Sequence, residues 1–203
     1  MKQETPATIH DFWFGAGDGD DDAAAAKQQA ALWWGKNAAV DANMRERFLP
    51  WLDQATAGAL DSWAASPRGL LALILLTDQF SRNIHRGHPE SFASDALARR
   101  WARAGLALEV RQALRPIERV FMLMPFEHSE DLADQDLSVR EFSALAQAVP
   151  ASNRQAFEGF AEYAEKHRVI VARFARFPHR NAILGRESTP EELEFLKQPG
   201  SSF

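Results

Sequence analysis

Cysteine is absent from the 203 residues. Its absence excludes disulfides, thiolate metal sites and cysteine nucleophiles together, and it suits a reducing compartment such as the cytoplasm. Long apolar runs are missing as well. The longest aliphatic stretch, Leu70 to Leu76, falls far short of the roughly 20 residues that span a bilayer and reads as a buried helix segment. The start, Met1 to His10, has neither the basic region nor the apolar stretch of a secretory signal. There is no basic excess: the net charge is −5 and the isoelectric point about 5.7, which argues against a nucleic-acid binder. No segment alternates β-branched and polar residues with period 2, so strands are not expected.

What remains is the composition of an ordered helical protein. Hydrophobic residues at 46 % and charged residues at 25 % lie in the globular range rather than the disordered one. The length suits a single all-α domain over residues 1–203, with 198–203 expected to fray. The periodicity predicts about nine helices, packed as antiparallel hairpins in a globular bundle or a curved stack. The first runs from Pro6 to Phe14, and its Phe12-Trp13-Phe14 is apolar all round and expected to dock into a core. After a loop rich in Gly and Asp, a helix is expected over 22–34 and another over 38–60, interrupted near Pro50.

Ser66-Pro67 gives an N-cap and a proline at the first helical position. That helix is expected to end near Phe80, with a loop over 81–92. Leu97, Trp101, Ala104 and Leu108 mark the next helix, and Pro116 and Pro125 bracket a short one. Ser129 is a candidate cap for a helix with the stripe Leu132, Val139, Phe142 and Ala146. Ser152 and Gln155 read as a capping box for a helix reaching about 175, and Thr189-Pro190-Glu191-Glu192 as another for a last short helix.

Three polar segments stand out. Phe80-Ser81-Arg82-Asn83-Ile84-His85-Arg86-Gly87 is echoed by Phe177-Pro178-His179-Arg180-Asn181-Ala182-Ile183-Leu184-Gly185-Arg186. Each comes after a helix and places Arg-Asn just past its end. There Arg can bond the last free carbonyls and Asn tolerates a left-handed C-cap. Arginine also presents a planar fork that grips a carboxylate or phosphate in two places, so two such segments meeting in space would form a cationic pocket. The third segment, Glu127-His128-Ser129-Glu130-Asp131 with Asp134 nearby, reads as the acidic N-terminus of a helix or as carboxylates that pair with the arginines. If the cluster is catalytic, Glu127 or His128 is the general base beside the arginines.

Asp78-Gln79-Phe80-Ser81-Arg82-Asn83-Ile84, Pro125 to Asp131, Arg176 to Asn181 and the opening Phe12-Trp13-Phe14-Gly15 together resemble the bacterial family known as domain of unknown function 924. The resemblance covers nearly the whole chain. Ser81 stands where the family pattern has proline, which touches a turn and not the proposed ligands. The resemblance implies an all-α fold similar to tetratricopeptide-repeat proteins and implies no activity. Stacks of that kind often hold peptides, using Asn and basic side chains on a concave face.

The polar cluster admits three readings. In the first, Glu127, Glu130, Asp131 and Asp78 tie the arginines into a structural ion-pair network. In the second, Arg82, Asn83, Arg86, Glu127, His128, His179, Arg180 and Asn181 form a binding pocket for a peptide, carboxylate or phosphate group. In the third, the same pocket is enzymatic. Other chemistries lack their residues. Asp18 to Asp22 has neither the Gly nor the Glu of a calcium loop. Gly15-Ala16-Gly17 has no strand before it, and no phosphate-binding loop is present. His85, His88 and Glu90 fall in an expected loop and make no metal set, so no metal or cofactor is expected. His167 reads as a satisfied core histidine, and the tryptophans as packing anchors.

Overall fold

The computed structural model describes residues 3–16 and 22–202. Most of the acidic loop singled out above, Asp18 to Asp21, lies outside the described residues. All regular structure among those described is helical.

Helix α1 (Pro6–Phe14) is set by Thr5, whose hydroxyl accepts the Thr8 N–H while Thr8 returns a bond to the Thr5 N–H. Helix α2 covers Asp22–Trp33 and α3 covers Ala38–Thr56, where the Asn37 side chain caps the Ala39 and Val40 N–H groups. Helix α3 runs through Pro50 and stops four residues short of the expected Leu60. The apolar tripeptide of α1 docks as expected. Trp13 and Phe14 are buried, and their rings meet Trp33, Phe80 and Phe121 at 5.4–6.3 Å, mostly tilted or edge-on. Fully burying a side chain of this size is worth about 1.5–3 kcal/mol.

The centre of the molecule is one helical rod. It opens as α4 (Pro67–Ile74), capped by the Ser66 hydroxyl on the Gly69 N–H. It widens into a π-helical turn over Leu75–Phe80 and resumes as α5 (Ser81–Ile84). Every residue from Gly69 to Ser81 is buried, as expected of a helix apolar nearly all round. The expected loop over 81–92 therefore begins only after Ile84. The extra residue of the π turn rotates the next helical turn by about 100°, and Arg82 and Ile84 stay within the helical run. Ser81 makes no turn at all. It sits inside the rod and its hydroxyl reaches the carbonyls of Glu90 and Ser91.

A 3₁₀ turn at Pro89–Phe92 leads into α6 (Asp95–Gly105) and the short α7 (Leu108–Ala113). Leu108 is 65 % exposed, because the chain breaks at Leu106 and Ala107 and carries it off the α6 stripe. Helix α8 covers Pro116–Glu127 and passes through Pro125 instead of ending there. At two residues from the C-terminus the proline costs one helical hydrogen bond, and the segment is held by burial.

Helix α9 (Leu132–Ala148) is capped by Asp131, whose carboxylate accepts the Ala133 and Asp134 N–H groups. Ser129, the expected cap, instead accepts the Asp131 N–H and donates to Asp134. Leu132 is exposed, off the buried stripe. Helix α10 (Arg154–Phe174) starts after Asn153 with no side-chain cap, so the Ser152/Gln155 capping box does not form. It lies antiparallel to α9, with Arg168 paired to Asp136 at 2.6 Å.

Helix α10 ends on Ala175 in the left-handed conformation, φ +56°. Neither Asn83 nor Asn181 takes the left-handed role foreseen for it. Beyond Ala175 the chain returns past the end of α8 through a 3₁₀ turn at Pro178–Arg180, and α11 (Pro190–Phe195) carries the expected Thr189/Glu192 capping box.

Candidate functional site

The π turn carries Asp78 into the protein interior, fully buried. Burial alone would raise its pKa. Arg82, then His128 and Gln79, outweigh that and hold the carboxyl well below the usual range, so it is ionised. Gln79 Nε2 donates to Oδ2 at 2.6 Å, and Arg82 Nη1 lies 3.1 Å from Oδ1 while also donating to the Asp78 main-chain carbonyl. On the same Oδ1 sits Nδ1 of His128, at 2.8 Å, delivered by the C-terminal end of α8.

Arg82 faces outward along the rod to the start of α6. Its Nη1 and Nη2 grip both oxygens of Asp95 at 3.0 and 3.2 Å. Asp95 also lies 3.6 Å from Nη1 of Arg180, which arrives from the returning C-terminal segment. The Arg180 guanidinium is stacked between Phe92 and Phe177, 4.7 and 4.5 Å from their ring centres, and donates to the His128 carbonyl at 3.0 Å. Burial, then Arg82, pull its pKa down to about 10. The two echoing segments thus converge, with the Asp95 carboxylate between their arginines.

Behind His128, Glu127 and His167 meet inside the protein, Oε1 to Nδ1 at 3.2 Å. Burial, then the charge of Asp78, push the Glu127 carboxyl up to about 8. Burial takes His167 down to about 3, while its Nδ1 bonds the Tyr163 carbonyl at 2.8 Å. The close approach suggests an ion pair, but both shifts favour the uncharged forms. Dehydration decides in their favour, because taking both charges out of water costs more than their mutual attraction returns. His167 is therefore a hydrogen-bonded core histidine.

An open cavity of about 460 Å³ lies over this cluster, walled by Phe92, Asp95, Arg99, His128, Glu130 and Arg180 among others. The acids on its wall are committed. Asp95 is shared by two arginines. Glu130 accepts both prongs of Arg186 at 2.6 and 2.9 Å and the Phe177 N–H at 2.8 Å. Asp131 caps α9. The cations are less committed. Among the described residues Arg99 has one carboxylate contact, to Asp134 at 3.6 Å, and Asp134 is also engaged by Arg103 and Ser129. Arg180 makes one hydrogen bond and one long ion pair, and its Nε has no partner among the described residues.

Of the residues singled out in the sequence, Arg82, Glu127, His128 and Arg180 come together. His179 adjoins them, its ring 5.6 Å from Phe177 and its pKa drawn down to about 4 by burial and then Arg180. Three do not join. Arg86 leaves the cluster to grip Asp41 on α3 at 2.6 and 3.0 Å. Asn181 donates to Ser188 and Glu192, which Arg176 also clasps, so it anchors α11. Asn83 is buried on α5 and its side chain makes no hydrogen bond among the described residues. Sequence reading missed Asp95, Phe92 and Arg99. Asp95 looks like an ordinary first-turn acid, and only its spatial position between two arginines distinguishes it.

No curated protein matches this chain. A solved structure does: a protein of unknown function from Agrobacterium tumefaciens is 38 % identical, with a TM-score of 0.77 over 95 % of this chain and 96 % of that one. A family model matches residues 9–200, a span that contains the π turn, the end of α8 and the returning arginines. The chain belongs to the family described as "Bacterial protein of unknown function (DUF924)".

Proposed function

We propose that this is a helical binding domain whose cavity receives a small carboxylate or phosphate, borne by a metabolite or by a peptide. One observation carries the reading. Every carboxylate on the cavity wall is engaged by arginines or helix N–H groups, whereas among the described residues Arg99 and Arg180 keep unused donors beside a neutral His128. An arriving anion completes those donors and a cation would compete with arginines already in place. The ion pairs away from the cavity, Arg86–Asp41 and Arg176–Glu192, belong to the structural framework. The cysteine-free composition fits a cytoplasmic protein. Among the described residues no helix is long and apolar enough to cross a membrane.

Calorimetric titration with inorganic phosphate and with citrate, on the parent and on Arg180→Gln, tests the proposal. The parent should bind at least one of them, and the variant should lose at least tenfold in affinity. Equal binding by both proteins, or none by the parent with phosphate, citrate and a carboxylate-ended peptide alike, would sink it.

A further inference from the structure

The Asp78–His128 pair asks for more than anion binding. Asp78 already has Arg82 and Gln79 as partners besides the histidine. His128 gains the more specific benefit. With Nδ1–H given to Asp78, the ring is fixed in one tautomer, and its Nε2 carries a lone pair. Nε2 has no hydrogen-bond partner among the described residues, and the side chain, 14 % exposed, stands on the cavity wall. A histidine serving only to tie α8 to the rod would gain nothing from leaving its second nitrogen at a water-accessible cavity. The support beneath it is also unusual. π turns inside helices recur at functional sites, and this one is fully buried and places the orienting carboxylate.

We infer that the cavity carries hydrolytic chemistry, in which His128 takes a proton from water, Asp78 is its positioning residue, and the substrate is a small ester bearing a carboxylate or phosphate. The substrate class rests on the anion-binding reading; the base does not. In the step, Nε2 accepts a proton from water as the water oxygen bonds to the ester carbonyl carbon. The tetrahedral oxyanion forms beside Arg180. It then collapses, the bond to the leaving oxygen breaks, and the imidazolium returns its proton to the departing alcohol. Water and ester become acid and alcohol, with no other reactant.

The charged and titratable groups around the ring and its cavity are Asp78 and Arg82 on the rod, Asp95 and Arg99 on α6, Arg180 and His179 on the returning segment, His167 on α10, and Glu127, Glu130 and Asp131 near it in the chain. Burial, then Arg82, hold the imidazole below its ordinary pKa against the pull of Asp78, so the base is unprotonated at neutral pH.

The probe is p-nitrophenyl acetate, hydrolysed by the full chain between pH 5 and 9. The parent should exceed buffer, with a rate that falls only on the acid side of the ordinary imidazole range. His128→Gln should lose about 100-fold, the scale of general-base catalysis. Added imidazole should restore His128→Gly. Asp78→Asn should move the acid limb to lower pH, which a merely structural role would not do. Where Asp78→Asn does not fold, the imidazole rescue decides. His128→Gln hydrolysing at the parent's rate would overturn the inference and leave anion binding standing. Hydrolysis dependent on His128 yet indifferent to phosphate would overturn the anion reading and the substrate class, and leave the base.

Discussion

Arg82 holds Asp95 in a two-pronged grip at 3.0 and 3.2 Å while the same Nη1 stays 3.1 Å from Asp78. One guanidinium thereby joins the central rod to the start of α6 and neutralises a buried carboxylate. Breaking one partner of a buried pair costs about 3–5 kcal/mol, because the other charge is left in place. Arg82→Met should lower unfolding stability in urea by that amount. Arg86→Met, whose side chain is 36 % exposed and pairs with Asp41 at the surface, should cost about 1 kcal/mol or less. Equal losses would contradict the division between buried cluster and surface pair.

Glu127 should respond to pH in the opposite sense from an ordinary salt-bridged acid. Its folded pKa, about 8, lies above the ordinary 4.5, so between those values the folded protein binds the extra proton. Stability from this group is present at low pH and declines as pH rises toward 8. Glu127→Gln removes the titration. Its urea midpoint should gain on the parent's between pH 5 and 9, and parallel curves would refute the assignment. His167 works the other way: its folded value, about 3, lies below the ordinary 6.5, so stability is lost as pH falls through that window. His167→Gln should flatten the acid limb.

Gln135 offers a test without charge. It is fully buried on α9, and its Nε2 lies within hydrogen-bond reach of the carbonyls of Glu127 and Ser129, at 2.7 and 2.6 Å, and of Phe126 at 3.4 Å. The Phe126 and Glu127 carbonyls close α8 and the Ser129 carbonyl follows it, beside the candidate site, where the helix leaves carbonyls that need outside donors. Gln135→Leu keeps the volume and strips the donors, so a loss of about 1–3 kcal/mol in thermal or urea unfolding is expected.

Asn181 separates framework from cavity. Asn181→Ala should reduce stability through the Ser188 and Glu192 bonds, by about 1 kcal/mol or more, and leave phosphate affinity unchanged. A variant that folds normally but loses phosphate would return Asn181 to the binding site.

The helices whose ends carry their own chemistry are legible in the sequence. Thr189 with Glu192, and Ser66 before Pro67, cap as the sequence says, because a cap is a contact within three residues. Where capping fails as a guide, a competitor sits close by. Asp131 takes the role expected of Ser129, since a carboxylate accepts two N–H groups at once and the Ser129 hydroxyl is drawn to Asp134. The π turn is invisible in the sequence, because nothing in Leu75 to Phe80 distinguishes an i+5 pattern from an i+4 one. Sequence patterning therefore ends the rod too early and puts Arg82 in a loop.

The sequence by itself determined the all-helical class, the burial of Leu70 to Leu76 and of the Trp13 region, and the chemical types available at the polar segments. Periodicity and capping are local, so they survive without knowledge of the fold. Which arginine meets which acid was decided only in three dimensions. Arg82, Arg86, Arg180 and Arg186 are chemically alike, and what separates them is the carboxylate each finds at long sequence distance: Asp95, Asp41, Asp95 again, and Glu130. The Asp78–His128 pair joins residues 50 positions apart for the same reason. Only packing of the rod against the end of α8 brings them within hydrogen-bonding range.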